Sequence, residues 1–203
     1  MLTVGKDVSQ VERRLSEGLL ACPDCSGRLG PWGHARPRAL RGGDGSQWWR
    51  RPRRARCSGC ARTHVLLPVR ALLRRADVVE VIGAALGLAA AGWGHRRIAE
   101  SLGRPAATVR GWLRRFRGRV ESLRSGFTQL LVGLDPLALL PQPAASALGD
   151  AVAAILAAAV AVVRRWGDAV SGLSPWELAA AVSSGRLLAP AGTPMSINTS
   201  RPW

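Results

Sequence analysis

The sequence predicts a mainly α protein with a small module of short β-strands near its N-terminus, a three-helix unit in the middle and Ala-rich helices toward the end. Apolar residues recur at helical spacing over most of the second half. Residues 21–70 are punctuated by Gly and Pro instead, and they hold all four cysteines in two close pairs. Pro136, Pro141 and Pro143 break the helical pattern, because each lacks an amide donor and biases its predecessor away from helix. The expected divisions are an N-terminal helix over 1–20, the Cys-rich module over 21–70, a helical domain over 71–135, a C-terminal helical region over 136–188 and an irregular tail over 189–203. With 47% hydrophobic residues among 203, the chain can bury a core.

Charge is distributed unevenly. The formal net charge is +16, and lysine occurs only at Lys6. Residues 1–30 hold four basic and four acidic side chains, and residues 121–203 hold five of each. Residues 31–75 carry twelve Arg against one acid, and residues 76–120 carry eight Arg against three acids. A compositional drift toward Arg would not spare both ends. The basic middle therefore reads as a functional surface with a polyanionic partner.

In the first helix Val8, Val11, Leu15 and Leu19 fall on one side, and Met1 to Leu20 holds no apolar run of the kind a secretory signal needs. Four cysteines without such a signal fit a reduced cytoplasmic metal site better than a disulfide framework. Cys22-Pro23-Asp24-Cys25 and Cys57-Ser58-Gly59-Cys60 can each form a tight turn that aims two thiolates at one point. Two such turns make a tetrahedral S4 cage suited to one structural Zn2+. The pairs are separated by 31 residues, more than the common spacing of about 15–20. Gly42, Gly43, Asp44 and Gly45 offer a turn within that loop, Trp48 to Cys57 should return as a strand, and Val65 to Leu67 should continue beyond the second pair. This layout is a zinc ribbon, and it has few aliphatic residues from which to build a core without metal. The alternatives are four reduced structural cysteines or a redox pair, although neither pair lies at a strand-to-helix junction. His64 and His34 are lesser candidates for a ligand role.

The middle of the chain has the pattern of a helix-turn-helix. Ile98-Ala99-Glu100-Ser101-Leu102-Gly103, followed by Thr108-Val109-Arg110-Gly111-Trp112-Leu113, gives the spacing that two crossed helices require. Ala99 is small where the helices approach, Gly103 can take the positive φ of the turn, and Pro105 suits the start of the second helix. Val78, Ile82, Ala85 and Ala89 supply a preceding helix, linked through Gly92 and Gly94. The expected core is Ile82, Leu86, Ile98, Leu102, Val109, Trp112 and Leu113. His95, Arg96 and Arg97 open the first helix of the motif, where amides and cations suit phosphate. Arg104, Ala107, Thr108, Arg110, Gly111, Arg114 and Arg115 remain on or near the second helix as candidates for contact with DNA. Small residues there permit close approach to base edges, and Arg110 and Arg114 can each bind guanine or phosphate. A helical hairpin serving protein contact is the competing reading, and the surplus of Arg argues against it.

The run from Arg53 to Pro68, with Cys57-Ser58-Gly59-Cys60 at its centre, resembles the zinc ribbon at the N-terminus of bacterial insertion-sequence transposases. The stretch from His95 to Phe116 resembles their companion helix-turn-helix. Together they look like a family of actinobacterial zinc-ribbon and helix-turn-helix proteins encoded in or near mobile elements. The resemblance covers about Cys22 to Phe116 and implies DNA recognition; the sequence departs from a full transposase in that no catalytic domain can be read in it, so recombinase activity is not expected.

Arg50, Arg51, Arg53, Arg54 and Arg56 surround Pro52 just after Trp48-Trp49. They form either a second DNA contact, with phosphates on Arg and bases stacked on Trp, or a solvated strand over two core tryptophans. Trp32 is expected in the core.

Ala144 to Val163 reads as an Ala-rich helix ending at Arg164-Arg165-Trp166. Its uninterrupted apolar run, Ala151 to Val163, is thirteen residues, short of the roughly 17–25 that cross a membrane. A packed helix or a homodimer surface is expected, with no membrane partner. Ser174-Pro175-Trp176-Glu177 is a capping box opening a last short helix. The thirteen acids are scattered and there is no tyrosine, so no acidic-triad or tyrosine recombinase site can be drawn, and the chain is expected not to be an enzyme. The expected function is that of a cytoplasmic, nucleoid-associated binder of double-stranded DNA. It would be either an accessory protein of a mobile element, partnering a recombinase, or a free-standing transcriptional regulator; an adaptor touching only protein is the third possibility.

Overall fold

The computed structural model describes residues 1–193; the expected tail lies outside the described residues from 194 onward. Seven α-helices and six short strands occur among the described residues, a mainly α fold with its strands gathered at the N-terminal end.

The chain begins with a strand, β1 (Leu2–Val4), before α1 (Val8–Ser16), where a helix alone was expected. Asp7 caps α1, its carboxylate accepting from the amides of Ser9 and Gln10 at 2.8 and 3.2 Å. Val11 and Leu15 are buried, but Val8 and Leu19 are exposed, contrary to the expected four-residue stripe. Val8 is the first helical residue, and the chain turns away at Gly18, whose φ of +68° ends the helix before Leu19.

Strands β2 (Leu29–His34), β3 (Arg38–Arg41), β4 (Gln47–Arg50), β5 (Arg53–Cys57) and β6 (Thr63–Pro68) follow. A four-stranded sheet runs in the order β1-β6-β5-β2, with β1 parallel to β6 and the other pairs antiparallel. β3 and β4 form a separate hairpin, pairing Leu40 with Trp48 and Ala39 with Trp49. The single strand expected from Trp48 to Cys57 is thus two, interrupted at Arg51-Pro52, because Pro52 cannot donate to a ladder. One small core lies between α1 and the sheet, built from Leu2, Val4, Val11, Leu15, Leu20, Leu29, Ala55 and Leu66 with Cys22 and Cys57.

The second core is larger. Helices α2 (Val79–Ala90), α3 (His95–Ser101), α4 (Ala106–Arg117), α5 (Val120–Leu134), α6 (Ala147–Trp166) and α7 (Pro175–Val182), with a 3₁₀ turn at Gly167–Val170, share it. All seven expected core positions join it, with Leu102 only partly buried. The Pro-rich residues 136–143 carry no helix or strand, and the helices on either side of them pack into this same core. α6 reaches twenty residues, and with the following turn it is long and apolar enough to cross a membrane, beyond the thirteen-residue run. Its Leu148, Val152, Ile155, Ala159 and Val162 are buried among neighbouring helices, so protein occupies that face. The capping box forms as read: Ser174 Oγ accepts from the Glu177 amide at 3.1 Å, and Glu177 Oε2 accepts from the Ser174 amide at 2.9 Å.

Candidate nucleic-acid interface and metal centre

The two Cys pairs fold into matching turns. In each, the amide after the second cysteine donates to the carbonyl of the first, Ser26 to Cys22 at 2.9 Å and Ala61 to Cys57 at 3.1 Å. Ser26 and Ala61 both take positive φ, at 59° and 58°. The amides of Cys22 and Cys57 then donate to Gly27 and Arg62 carbonyls at 2.7 and 2.9 Å, closing each loop the same way. All four Sγ atoms lie within 4.8 Å of one another, with Cys22–Cys60 at 3.7 Å and Cys25–Cys57 at 3.4 Å. A tetrahedron with Zn–S bonds of about 2.3 Å has edges of about 3.8 Å, so the donor set fits one zinc ion. The setting is also suited to thiolates. Amides of Gly59 and Cys60 point at Cys57 Sγ from 3.3 and 3.5 Å, and the Asp24 amide points at Cys22 Sγ from 3.5 Å. The backbone at Cys60 and Gly59, together with the neighbouring thiols, outweighs burial and draws the Cys57 thiol down to about 7. At Cys25 the Gly27 backbone is outweighed by the Cys57, Cys60 and Cys22 thiols and burial, which push its thiol up to about 12, so without metal the proton is shared unequally within the cluster. Gly27 packs closely against the cage: a Cβ there would lie 3.0 Å from Cys57 Sγ and 3.3 Å from Cys25 Sγ, so the thiols would have to give by a few tenths of an ångström.

His64 stands beside this cage. It is buried, and its Nε2 lies 3.4 Å from Cys22 Sγ, near enough to donate to a ligand sulfur. Arg62 joins the two turns by pairing with Asp24 at 3.0 Å. His34 lies on β2, exposed and away from the thiols.

α3 and α4 cross at a turn made by Gly103, φ +58°. Pro105 precedes α4 as its cap, one position before the first helical residue. Val109, Trp112, Leu113 and Phe116 turn inward and are buried. Outward lie Ala107, Arg110, Arg114 and Arg117, spaced three, four and three residues apart on one exposed face, with the half-exposed Gly111 between them. No acidic residue occurs in α4. Thr108 and Arg115 flank the stripe and are half-buried, His95 is half-buried at the start of α3, and Arg96 and Arg97 are exposed. Arg97 stacks on Trp93, 3.7 Å from the ring centroid.

Two residues differ from expectation. Arg104 does not face outward: its Nε pairs with Asp77 at 2.7 Å and its side chain is one-tenth exposed. Arg117, which sequence reasoning passed over, completes the outer stripe at position i+7 from Arg110, a spacing that could have identified it.

A family model described as a homeodomain-like domain matches residues 73–124, from the loop before α2 into α5. The chain carries a homeodomain-like helix-turn-helix. Comparison with curated proteins and with solved structures gives no match for the chain. The homeodomain-like unit spans α2, α3 and α4, and Asp77 and Arg104 both fall inside it. The match supports a DNA-binding helix-turn-helix unit within these residues.

The ribbon arginines occupy different settings. Arg51 and Arg56 are exposed, and Arg56 stacks over Trp32 at 4.6 Å. Arg53 is paired with Glu12 at 3.0 Å, Arg54 reaches Thr63, and Arg50 reaches the Lys6 carbonyl. Trp32, Trp48 and Trp49 are all exposed, so none is the core residue that one reading expected. Short strands around a metal-sized cage leave no interior large enough for three indoles.

Proposed function

We propose that the chain recognises double-stranded DNA by laying α4 in the major groove, with Ala107, Thr108, Arg110, Gly111 and Arg114 toward base edges. His95, Arg96, Arg97, Arg115 and Arg117 serve phosphates. The observation that carries this reading is the outward stripe of Arg110, Arg114 and Arg117 on a helix without an acid, because phosphate neutralisation needs uncompensated cations on the groove-facing side. The ribbon holds one structural Zn2+ through Cys22, Cys25, Cys57 and Cys60, and Arg51 and Arg56 with their neighbours Arg50, Arg53 and Arg54 add a second, backbone-directed contact. Selection of bound sequences from random duplex DNA, with and without a zinc chelator, tests both parts. A defined motif that survives chelation in weakened form is the expected result; recovery of no sequence preference in either condition contradicts it.

The combination of ribbon and helix-turn-helix supports an accessory role beside a mobile-element recombinase over a free-standing regulator. A gene for an acidic-triad integrase beside this one agrees with that role, and occupancy confined to a promoter favours the regulator. Leu156, Val160 and Val163 form an exposed apolar stripe on α6, which supports a homodimer whose two α4 helices read repeated half-sites. Sedimentation showing only monomer at micromolar concentration would remove the dimer.

A further inference from the structure

Among the described residues, the exposed aromatics Trp32, Trp48 and Trp49 all belong to the Arg-rich ribbon. Trp49 is 71% exposed and Trp48 41%, whereas an indole usually gains more from burial than any other side chain and stays outside mainly where a partner covers it. Trp48 and Trp49 line a cleft of about 460 Å³ between α1 and the β3–β4 hairpin, within the range of small-ligand sites. Its floor is apolar, formed by Val4, Val11, Leu40 and Leu66. Its rim is cationic, with Arg50 and Arg51 at the end of the hairpin, Arg53 on β5 and Arg70, which lies over the Trp48 ring at 5.8 Å, and Glu12 as its acid. Glu12 neutralises Arg53 alone, leaving Arg51 free to solvent and Arg50 held only by a backbone carbonyl. A flat apolar face flanked by negative charge is what such a cleft complements, and a nucleotide has that chemistry.

The position of the cleft narrows the choice. Arg104, at the turn leading into α4, donates from Nη2 to the Gly42 carbonyl in the hairpin loop. Asp77 bridges Arg104 to Arg41 at 2.7 and 2.9 Å, fixing the same hairpin to the helix-turn-helix. The hairpin is thereby held beside the N-terminal end of α4, next to the face proposed for duplex DNA. We infer that the cleft between α1 and the β3–β4 hairpin binds unpaired DNA, stacking a base on Trp49, the more exposed indole, while Arg50 and Arg51 take the adjoining phosphates and Trp48 stays against Arg70. This rests on the proposal that α4 binds duplex DNA, and it makes the ribbon's backbone-directed contact one to an unpaired segment of the same DNA, with the paired part on the homeodomain-like unit.

The test uses the full chain loaded with zinc and follows fluorescence anisotropy of two labelled probes, an oligothymidylate of about 16 nucleotides and a blunt mixed-sequence duplex of equal length. Trp49→Ala is expected to weaken oligothymidylate binding about 5- to 150-fold and to leave duplex binding unchanged, with Trp49→Phe retaining most of the affinity. Trp49 is an exposed residue, and unchanged zinc content in Trp49→Ala shows that the ribbon still folds. Arg110→Ala with Arg114→Ala should do the reverse, so failure of the duplex reading appears in a separate arm. The inference is overturned if Trp49→Ala leaves oligothymidylate binding unchanged, if it weakens both probes equally, or if a polyglutamate peptide displaces the oligothymidylate as well as unlabelled oligothymidylate does. The last result would identify the cleft as a site for acidic peptide.

Discussion

Arg104 Nε lies 2.7 Å from Oδ1 of Asp77, and Arg41 Nη2 lies 2.9 Å from the other oxygen of the same carboxylate. One buried acid thereby joins the loop before α2, the turn of the helix-turn-helix and the β3–β4 hairpin. The Asp77 side chain is 3% exposed and that of Arg104 10%, so removing the acid strands a cation with little access to water. Asp77→Ala is expected to destabilise the zinc-loaded protein by about 3 kcal/mol in urea unfolding, the lower end for a broken buried pair because Arg41 can rehydrate. A loss below about 1 kcal/mol, the scale of an exposed pair, would show that the bridge does not hold the two halves together.

The metal cage should be needed by one half of the molecule only. The core between α1 and the sheet includes Cys22 and Cys57 themselves, whereas the helical core contains no cysteine. Zinc analysis is expected to give one ion per chain, and Cys57→Ser to abolish it. Chelation should then raise amide exchange across β2, β5 and β6 while α2, α5 and α6 stay protected. Uniform loss of protection through α6 on chelation would contradict this division.

Gly83 sits where α2 meets α7, and a Cβ added there would lie 2.2 Å from the ring of Trp176. An indole packed on a helix cannot yield by that amount without moving α7. Gly83→Ala should cost about 1–3 kcal/mol of stability despite alanine's better helix propensity, measurable by thermal unfolding. A stabilised variant would mean that the two helices are not held at this distance.

Glu80 offers a pH test. Burial, with a smaller part from neighbouring Glu177, pushes its carboxyl from the usual 4.5 up to about 7, against the opposing charge of Arg70. The fold thus favours the neutral acid. Its contribution is present in full below about pH 4.5 and is lost as pH rises through about 7. Glu80→Gln should therefore melt higher than the unmodified protein at pH 8 and no higher at pH 4.5. Equal differences at both pH values would rule out this titration.

Much of this arrangement was legible from local pattern. Cys-x-x-Cys spacing forces a turn whatever surrounds it, and the period of Val109, Trp112, Leu113 and Phe116 specifies an inner face without knowledge of its partner. What depended on distant pairing was not legible. β1 acquires its strand only by lying parallel to β6, sixty-odd residues away in register with Leu66 to Pro68, and nothing in Leu2-Thr3-Val4 states that. Arg104 resembles its neighbours as a candidate for DNA contact in the sequence; its side chain is instead spent on Asp77, twenty-seven residues earlier. Trp32 illustrates the opposite error, since residue type suggested core where the strands leave it exposed, and of the two readings open for Trp48 and Trp49 the core one fails in the same way.

The central claim is that the outer face of α4 meets duplex DNA, and a salt titration of duplex binding by the Arg110→Ala, Arg114→Ala and Arg117→Ala variants tests it most directly. Arg117, assigned to phosphate, should on removal lower the slope of log K against log salt by about 0.9, and Arg110 or Arg114 should add as much again only where it meets phosphate instead of a base edge. An arginine paired with guanine should instead cost about 1–3 kcal/mol and relax preference at one base pair. A triple variant that keeps its fold and its zinc yet shows the same slope and affinity as the unmodified chain would contradict the claim.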